Sequence, residues 1–73
     1  MTVVVLNRTT YTQINSTAQR VQVVGGRVQV AESATPASDD FHVWPEGAII
    51  DVTAIKFARA VDGTPTWVVA QPV

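Results

Sequence analysis

The 73-residue chain has no cysteine and a single histidine, which excludes disulfides, cysteine-based zinc sites and histidine clusters. Charged residues make up only 15% of the sequence, against about 25% in a typical soluble domain. Five basic and six acidic residues give a net charge of −1. This balance provides neither the basic surface of a nucleic-acid-binding protein nor a polybasic membrane anchor, so we predict neither partner.

Long apolar runs are also missing. Residues 1–6 are too few for the core of a signal peptide and lack a basic start, and no segment approaches the ~18 apolar residues of a membrane helix. We therefore expect synthesis in a cytoplasm. The length predicts one domain, residues 1–73, that buries only about 60% of its unfolded surface, so self-association or docking on a partner would add stability.

Valine dominates the apolar residues, with threonine and isoleucine in support and only one leucine. β-branched side chains pack well on a pleated sheet, and no window shows the 3.6-residue period of a helix. The sequence predicts an all-β fold, a small sandwich or barrel of about six or seven short, mostly antiparallel strands. Expected single strands cover residues 2–6, 11–14, 41–44 and 48–52.

Residues 19–32 carry the clearest pattern, two alternating runs around Gly25-Gly26. Such a pair is typical of a two-residue hairpin turn, because both central positions need positive φ. The resulting register places four valines on one face: Val21, Val23, Val28 and Val30. It places four polar residues on the other face: Arg20, Gln22, Arg27 and Gln29. That polar face is either ordinary solvated surface or a protein interface, in which arginine is enriched.

Residues 55–71 form a second hairpin candidate around a glycine-containing turn. A loop of two or four residues would place Phe57 on the face of Val68. A three-residue loop with a glycine bulge would place Phe57 with Trp67 and Val69, and we favour it because that combination is more apolar. Most large aromatic residues of so small a chain must lie in the core, and we expect Phe57 and Trp67 there.

The strand at residues 2–6 is apolar throughout, which predicts cover on both faces, the second face being covered by the same chain or by another subunit. Trp44 precedes a proline and is expected at a rim or an interface. The predicted interface residues are Val3, Val5, Arg20, Gln22, Arg27, Gln29 and Trp44.

Residues with catalytic or metal-binding chemistry form no recognisable motif. The carboxylates Asp39, Asp40, Glu46 and Asp51 lack the spacing of a calcium loop, and His42 has no nucleophile motif beside it. We predict no catalytic residues, no metal and no cofactor, and therefore no enzymatic activity. Aromatic side chains on a β-surface can stack on rings, so a small β-barrel binding module for a peptide, sugar or nucleic acid is the alternative.

The C-terminal half contains Trp-Pro-Glu-Gly at 44–47, Phe-Ala-Arg-Ala-Val-Asp-Gly at 57–63 and Thr-Trp-Val-Val-Ala at 66–70. In these residues it resembles the small β-structured virion proteins of tailed bacteriophages. The resemblance implies a structural protein of the head decoration (cement) or neck and tail accessory type. It implies a homo-oligomer, with a trimer favoured, that binds a virion protein such as the major capsid protein. The expected location is the virion, and no contact residue follows from the resemblance.

Overall fold

The computed structural model describes residues 1–16, 18–37 and 40–73, and the described residues form eight β-strands and no helix. The strands are β1 (Thr2–Leu6), β2 (Thr12–Gln13), β3 (Gln19–Val24), β4 (Val28–Ala31), β5 (His42–Trp44), β6 (Ile49–Val52), β7 (Phe57–Ala60) and β8 (Thr66–Pro72). The predicted all-β class is confirmed, with eight strands in place of six or seven.

The strands form two four-stranded antiparallel sheets. The front sheet has the order β1-β8-β3-β6, and the back sheet has the order β2-β7-β4-β5. Apart from β4 and β5, consecutive strands lie in different sheets, so the chain crosses repeatedly between the two layers. Eight strands wound in this way form a small jelly roll.

The core lies between the sheets and is made mostly of valine and alanine. Side chains alternate along each strand, so every second residue points inward and the others point to the outer side of their sheet. The core residues are Leu6, Ile14, Val21, Val23, Val28, Val30, Val52, Ala58, Ala60, Val68 and Ala70. These side chains are small or branched and fill a thin layer without any large aromatic ring.

The predicted hairpin at Gly25-Gly26 is wrong. β3 pairs with β6 and β8, whereas β4 pairs with β5 and β7. Gly25 does have a positive φ of 91°, but the turn carries the chain from the front sheet to the back sheet. The four valines predicted to share a face all point into the core, because the inner faces of the two sheets meet there.

The predicted hairpin over residues 55–71 is also wrong, since β7 pairs with β2 and β4 while β8 pairs with β1 and β3. Inner positions are occupied by Ala58 on β7 and by Val68 on β8. Phe57 and Trp67 therefore point to the outer sides of different sheets and are half-buried, so the prediction that they form the core is wrong. Trp44 instead packs against the margin of the core.

The two crossovers between β3 and β4 and between β7 and β8 are bound to each other. The backbone N–H of Arg27 donates to Asp62 Oδ2 over 3.0 Å, and its guanidinium Nη2 donates to Oδ1 over 2.9 Å. The side-chain bond has the larger effect, and together with the backbone bond it lowers the pKa of Asp62 to about 2. The Thr64 hydroxyl donates to the carbonyl oxygen of Gly25 over 2.7 Å. A Cβ at Gly25 would overlap the carbonyl oxygen of Pro65, so this close approach requires glycine.

Asn15 connects two further loops from a buried position. Its Nδ2 donates to the carbonyl oxygen of Ala54 over 2.9 Å, and its Oδ1 accepts from the backbone N–H of Lys56 over 2.8 Å. The amide thereby holds the β6–β7 connection against the segment between β2 and β3. It also provides the hydrogen-bond partner of two part-buried backbone groups.

Candidate functional site

The outer side of the front sheet carries an apolar surface. In the register of the sheet, Val5 lies opposite Trp67, and Trp67 lies opposite Val24. In the next row, Val3 lies opposite Val69, and Gln22 lies between Val69 and Ile49. Directly opposed residues of antiparallel strands point to the same side of a sheet. We call the resulting set the apolar face: Val3, Val5, Val24, Ile49, Trp67 and Val69.

Three side chains of the apolar face are more than half exposed. The exposed fraction is 55% for Val3, 73% for Val5 and 61% for Ile49. Trp67 and Val69 lie between them on β8 and are partly exposed. A cluster of exposed apolar side chains on one side of a sheet is typical of interaction sites in soluble proteins. The front sheet therefore has one side buried in the core and a second side that is suited to contact with another molecule.

One end of the apolar face is polar but carries no net charge. Arg20 Nε donates to Asp51 Oδ1 over 2.8 Å, and Arg20 Nη2 donates to Asp51 Oδ2 over 3.2 Å. Hydrogen bonding to Arg20 lowers the pKa of Asp51, so the carboxylate stays ionised and paired to a lower pH than an isolated aspartate would. Gln22 and Gln71 flank the pair, and with Met1 they contribute to an open groove of about 400 Å³. This end offers hydrogen bonds around an apolar centre, as the rim of a protein interface does.

The structure separates the residues that the sequence predicts as an interface. Four of the seven lie on the outer side of the front sheet: Val3, Val5, Arg20 and Gln22. Gln29 lies on the outer side of the back sheet, opposite Arg59, and Arg27 lies in the crossover between the sheets. Trp44 lies on β5 at the edge of the back sheet. The prediction of one polar face formed by Arg20, Gln22, Arg27 and Gln29 is wrong, because β3 and β4 belong to different sheets.

Sequence reasoning missed four members of the apolar face: Val24, Ile49, Trp67 and Val69. Each belongs to a strand that was predicted, and the alternation along β8 does separate Trp67 and Val69 from Thr66 and Val68. Which of those two sets points inward depends on the pairing of β8 with β1 and β3. That pairing joins distant parts of the chain and leaves no local signal.

Within residues 1–16, 18–37 and 40–73, no group of three or more histidine, aspartate and glutamate residues could hold a metal ion. Asp51 is paired with Arg20, and His42 is exposed on β5. Asp39 lies outside the described residues. No helix long and apolar enough to span a bilayer is found in the described part of the chain.

No family model, curated protein or solved structure matches the chain. The resemblance to phage virion proteins therefore stays a prediction based on the residues that carry it.

Proposed function

We propose that the chain is a non-enzymatic structural protein of a tailed-phage virion, where it binds the capsid or a neighbouring virion protein and so decorates and stabilises the particle. The observation that carries the proposal is the apolar face, with Val3, Val5 and Ile49 more than half exposed on one side of one sheet. Removing that surface from water is favourable, and a protein partner provides the apolar cover for it.

The size of the apolar face indicates how strongly one copy would bind. The exposed fractions of the three side chains amount to roughly two whole side chains, whose burial stabilises a complex by about 3 to 6 kcal/mol. Association itself costs about 4 kcal/mol or more in lost freedom of motion. A single copy would therefore bind weakly through these side chains alone. Many copies on a repeating shell, or copies joined in an oligomer, bind far more tightly through multivalency.

Two further features support the same proposal. Jelly rolls occur in viral capsid and lectin domains, although a fold alone does not determine a function. The assignment to tailed phages rests on the residues in the C-terminal half that resemble virion proteins, as does the favoured trimer. In a trimer, three copies of the chain lie beside each other. The apolar face could then contact a neighbouring copy, the shell, or both.

The test is to purify particles from the cells in which the chain is made and to determine their protein content and their structure by electron cryomicroscopy. We expect the chain in stoichiometric amounts, with the outer side of the front sheet against another virion protein or another copy. Absence from the particles would contradict the proposal, and so would a map in which the apolar face is open to solvent.

The alternative function, a binding module for a sugar, peptide or nucleic acid, is favoured by one observation. Trp67 lies between Val5 and Val24 on the apolar face and is partly exposed, so its ring is available for stacking. The variant Trp44→Phe leaves Trp67 as the sole tryptophan and makes its fluorescence a specific probe of this face. A monomer whose fluorescence changes on addition of an oligosaccharide or oligonucleotide would favour the alternative over the virion protein.

A further inference from the structure

Three of the five basic side chains are engaged in ion pairs. The pairs are Arg20 with Asp51 at 2.8 Å, Arg27 with Asp62 at 2.9 Å and Lys56 with Glu32 at 2.7 Å. The other two basic residues, Arg8 and Arg59, have no carboxylate partner among residues 1–16, 18–37 and 40–73. Both line the same open groove of about 370 Å³. The two arginine side chains that have no ion-pair partner in the described part of the chain thus line one groove.

The loop that carries Arg8 is fixed at the side of this groove. Asn7 Oδ1 accepts hydrogen bonds from the backbone N–H groups of Thr9 over 2.9 Å and Thr10 over 2.7 Å, which closes the loop on itself. The carbonyl oxygen of Asn7 accepts from the backbone N–H of Ala60 over 2.7 Å and so attaches the loop to β7. Arg8 itself is exposed at the surface of the loop.

Arg59 is held in a defined orientation on the other side. Its Nε donates to Gln29 Oε1 over 2.6 Å, and its guanidinium carbon lies 5.0 Å from the centre of the Tyr11 ring. The Tyr11 hydroxyl donates to the same oxygen of Gln29 over 3.3 Å. These contacts occupy one edge and one face of the guanidinium and leave its Nη groups without a protein acceptor in the described part of the chain. A side chain that is already ordered loses less entropy when it binds a ligand.

We infer that this groove binds the carboxylates of an acidic peptide segment on a partner protein. A guanidinium matches a carboxylate through two parallel hydrogen bonds, and two arginines that line one groove suit a segment with successive acidic side chains. Ala60 and Val61 also line the groove and provide apolar contacts for the stems of those side chains. Nucleic-acid binding depends on many cations, whereas only two basic side chains line this groove.

The inference does not depend on the apolar face, because Arg59 and Gln29 lie on the outer side of the opposite sheet. Within the proposed function, the groove adds a second and chemically different contact. The apolar face provides affinity, and the arginine pair selects partners with an acidic segment.

The test is a titration of ¹⁵N-labelled protein with a blocked pentaglutamate peptide, with a pentaglutamine peptide as the uncharged control. We expect shifts of the backbone amides of Thr9, Thr10 and Ala60 and of Arg59 Nε, and weaker binding at high salt. Arg8→Gln and Arg59→Gln should each weaken binding roughly tenfold through loss of charge-assisted hydrogen bonds. Arg8 has no described side-chain bond to another residue, so Arg8→Gln tests the groove without disturbing the fold.

Arg20→Gln is the matched control, since it removes the same charge from the opposite sheet and should leave pentaglutamate binding unchanged. The inference is overturned if Arg20→Gln weakens binding as much as Arg8→Gln, or if the groove amides do not shift. It is also overturned if inorganic phosphate binds as tightly as the peptide, which would make the groove a phosphate site. A variant with Val3→Thr and Val5→Thr should bind the peptide normally, so failure of the groove and failure of the apolar face can be told apart.

Discussion

The double variant Val3→Thr/Val5→Thr tests the apolar face most directly. Both side chains lie on the edge strand β1 with exposed fractions of 55% and 73%, so neither contributes much to the core. Threonine has almost the shape of valine and a similar preference for strands. We therefore expect the isolated variant to fold and to unfold in urea at the same midpoint as the unmodified chain.

Binding to a partner should respond much more strongly than folding. Each substitution loses about 0.8 kcal/mol for the methyl group that the partner would bury. It also costs about 1 kcal/mol or more to bury the new hydroxyl without a hydrogen bond. Scaled by the exposed fractions of the two side chains, the double variant should lose at least about 2 kcal/mol, which is about a thirtyfold increase in Kd.

The assay is co-sedimentation of purified protein with particles that were assembled without it. The matched control is Val43→Thr, a valine that is 48% exposed on the outer side of the back sheet and that does not line the groove of Arg8 and Arg59. We expect the control to bind as the unmodified chain does. The reasoning is refuted if the double variant binds normally, or if Val43→Thr impairs binding to the same extent.

Three further predictions concern the fold. Gly25→Ala should lower the free energy of unfolding by about 2 kcal/mol or more, because it adds an overlap with the facing loop to the strain of a positive φ. Gly47 also has a positive φ, of 83°, but open space around it, so Gly47→Ala should cost only about 1 kcal/mol. Urea denaturation compares the two variants, and equal losses would contradict the close approach at Gly25. Arg27 lowers the pKa of Asp62 to about 2, so the contribution of Asp62 to stability is complete above its unfolded pKa near 4 and is lost as the pH falls through about 2. Asp62→Asn should therefore reduce the loss of stability between about pH 4 and pH 2. An unchanged loss of stability over that range would contradict the pairing. Asn15→Ala should destabilise the fold by about 1 to 3 kcal/mol by removing the hydrogen-bond partner of two part-buried backbone groups. A loss well below this in thermal unfolding would contradict the role of the amide.

The strands were predictable because their signals are local. Alternation and β-branched residues place Val21, Val23, Val28 and Val30 correctly on strands and in the core. Their partners were not predictable, because a short glycine turn that joins two layers resembles a short glycine turn that joins two paired strands. Four inward valines satisfy both arrangements equally well, so the pattern does not distinguish a hairpin from a crossover.

The apolar face was predictable only in part, for a related reason. Val3 and Val5 stand out in the sequence because an apolar run on a short strand needs cover on two sides, and they are exposed in the structure. The contribution of Ile49 and Trp67 depends on the sheet order, which brings β6 and β8 beside β3. Trp67 was expected inside because large aromatic residues usually form the core of a small domain. Here small residues fill a thin core and leave the ring on the outside.

The position of β8 between β1 and β3 determines when this fold can form during synthesis. β1 is translated early, but the strand that hydrogen-bonds to it is the last of the eight. Until residues 66–72 have left the ribosome, the valines of β1 have no neighbour in their own sheet, and unpaired apolar strands are prone to pair with other chains. The front sheet therefore closes only after the last of the eight strands has been made, and its closure joins segments far apart in sequence, which slows folding.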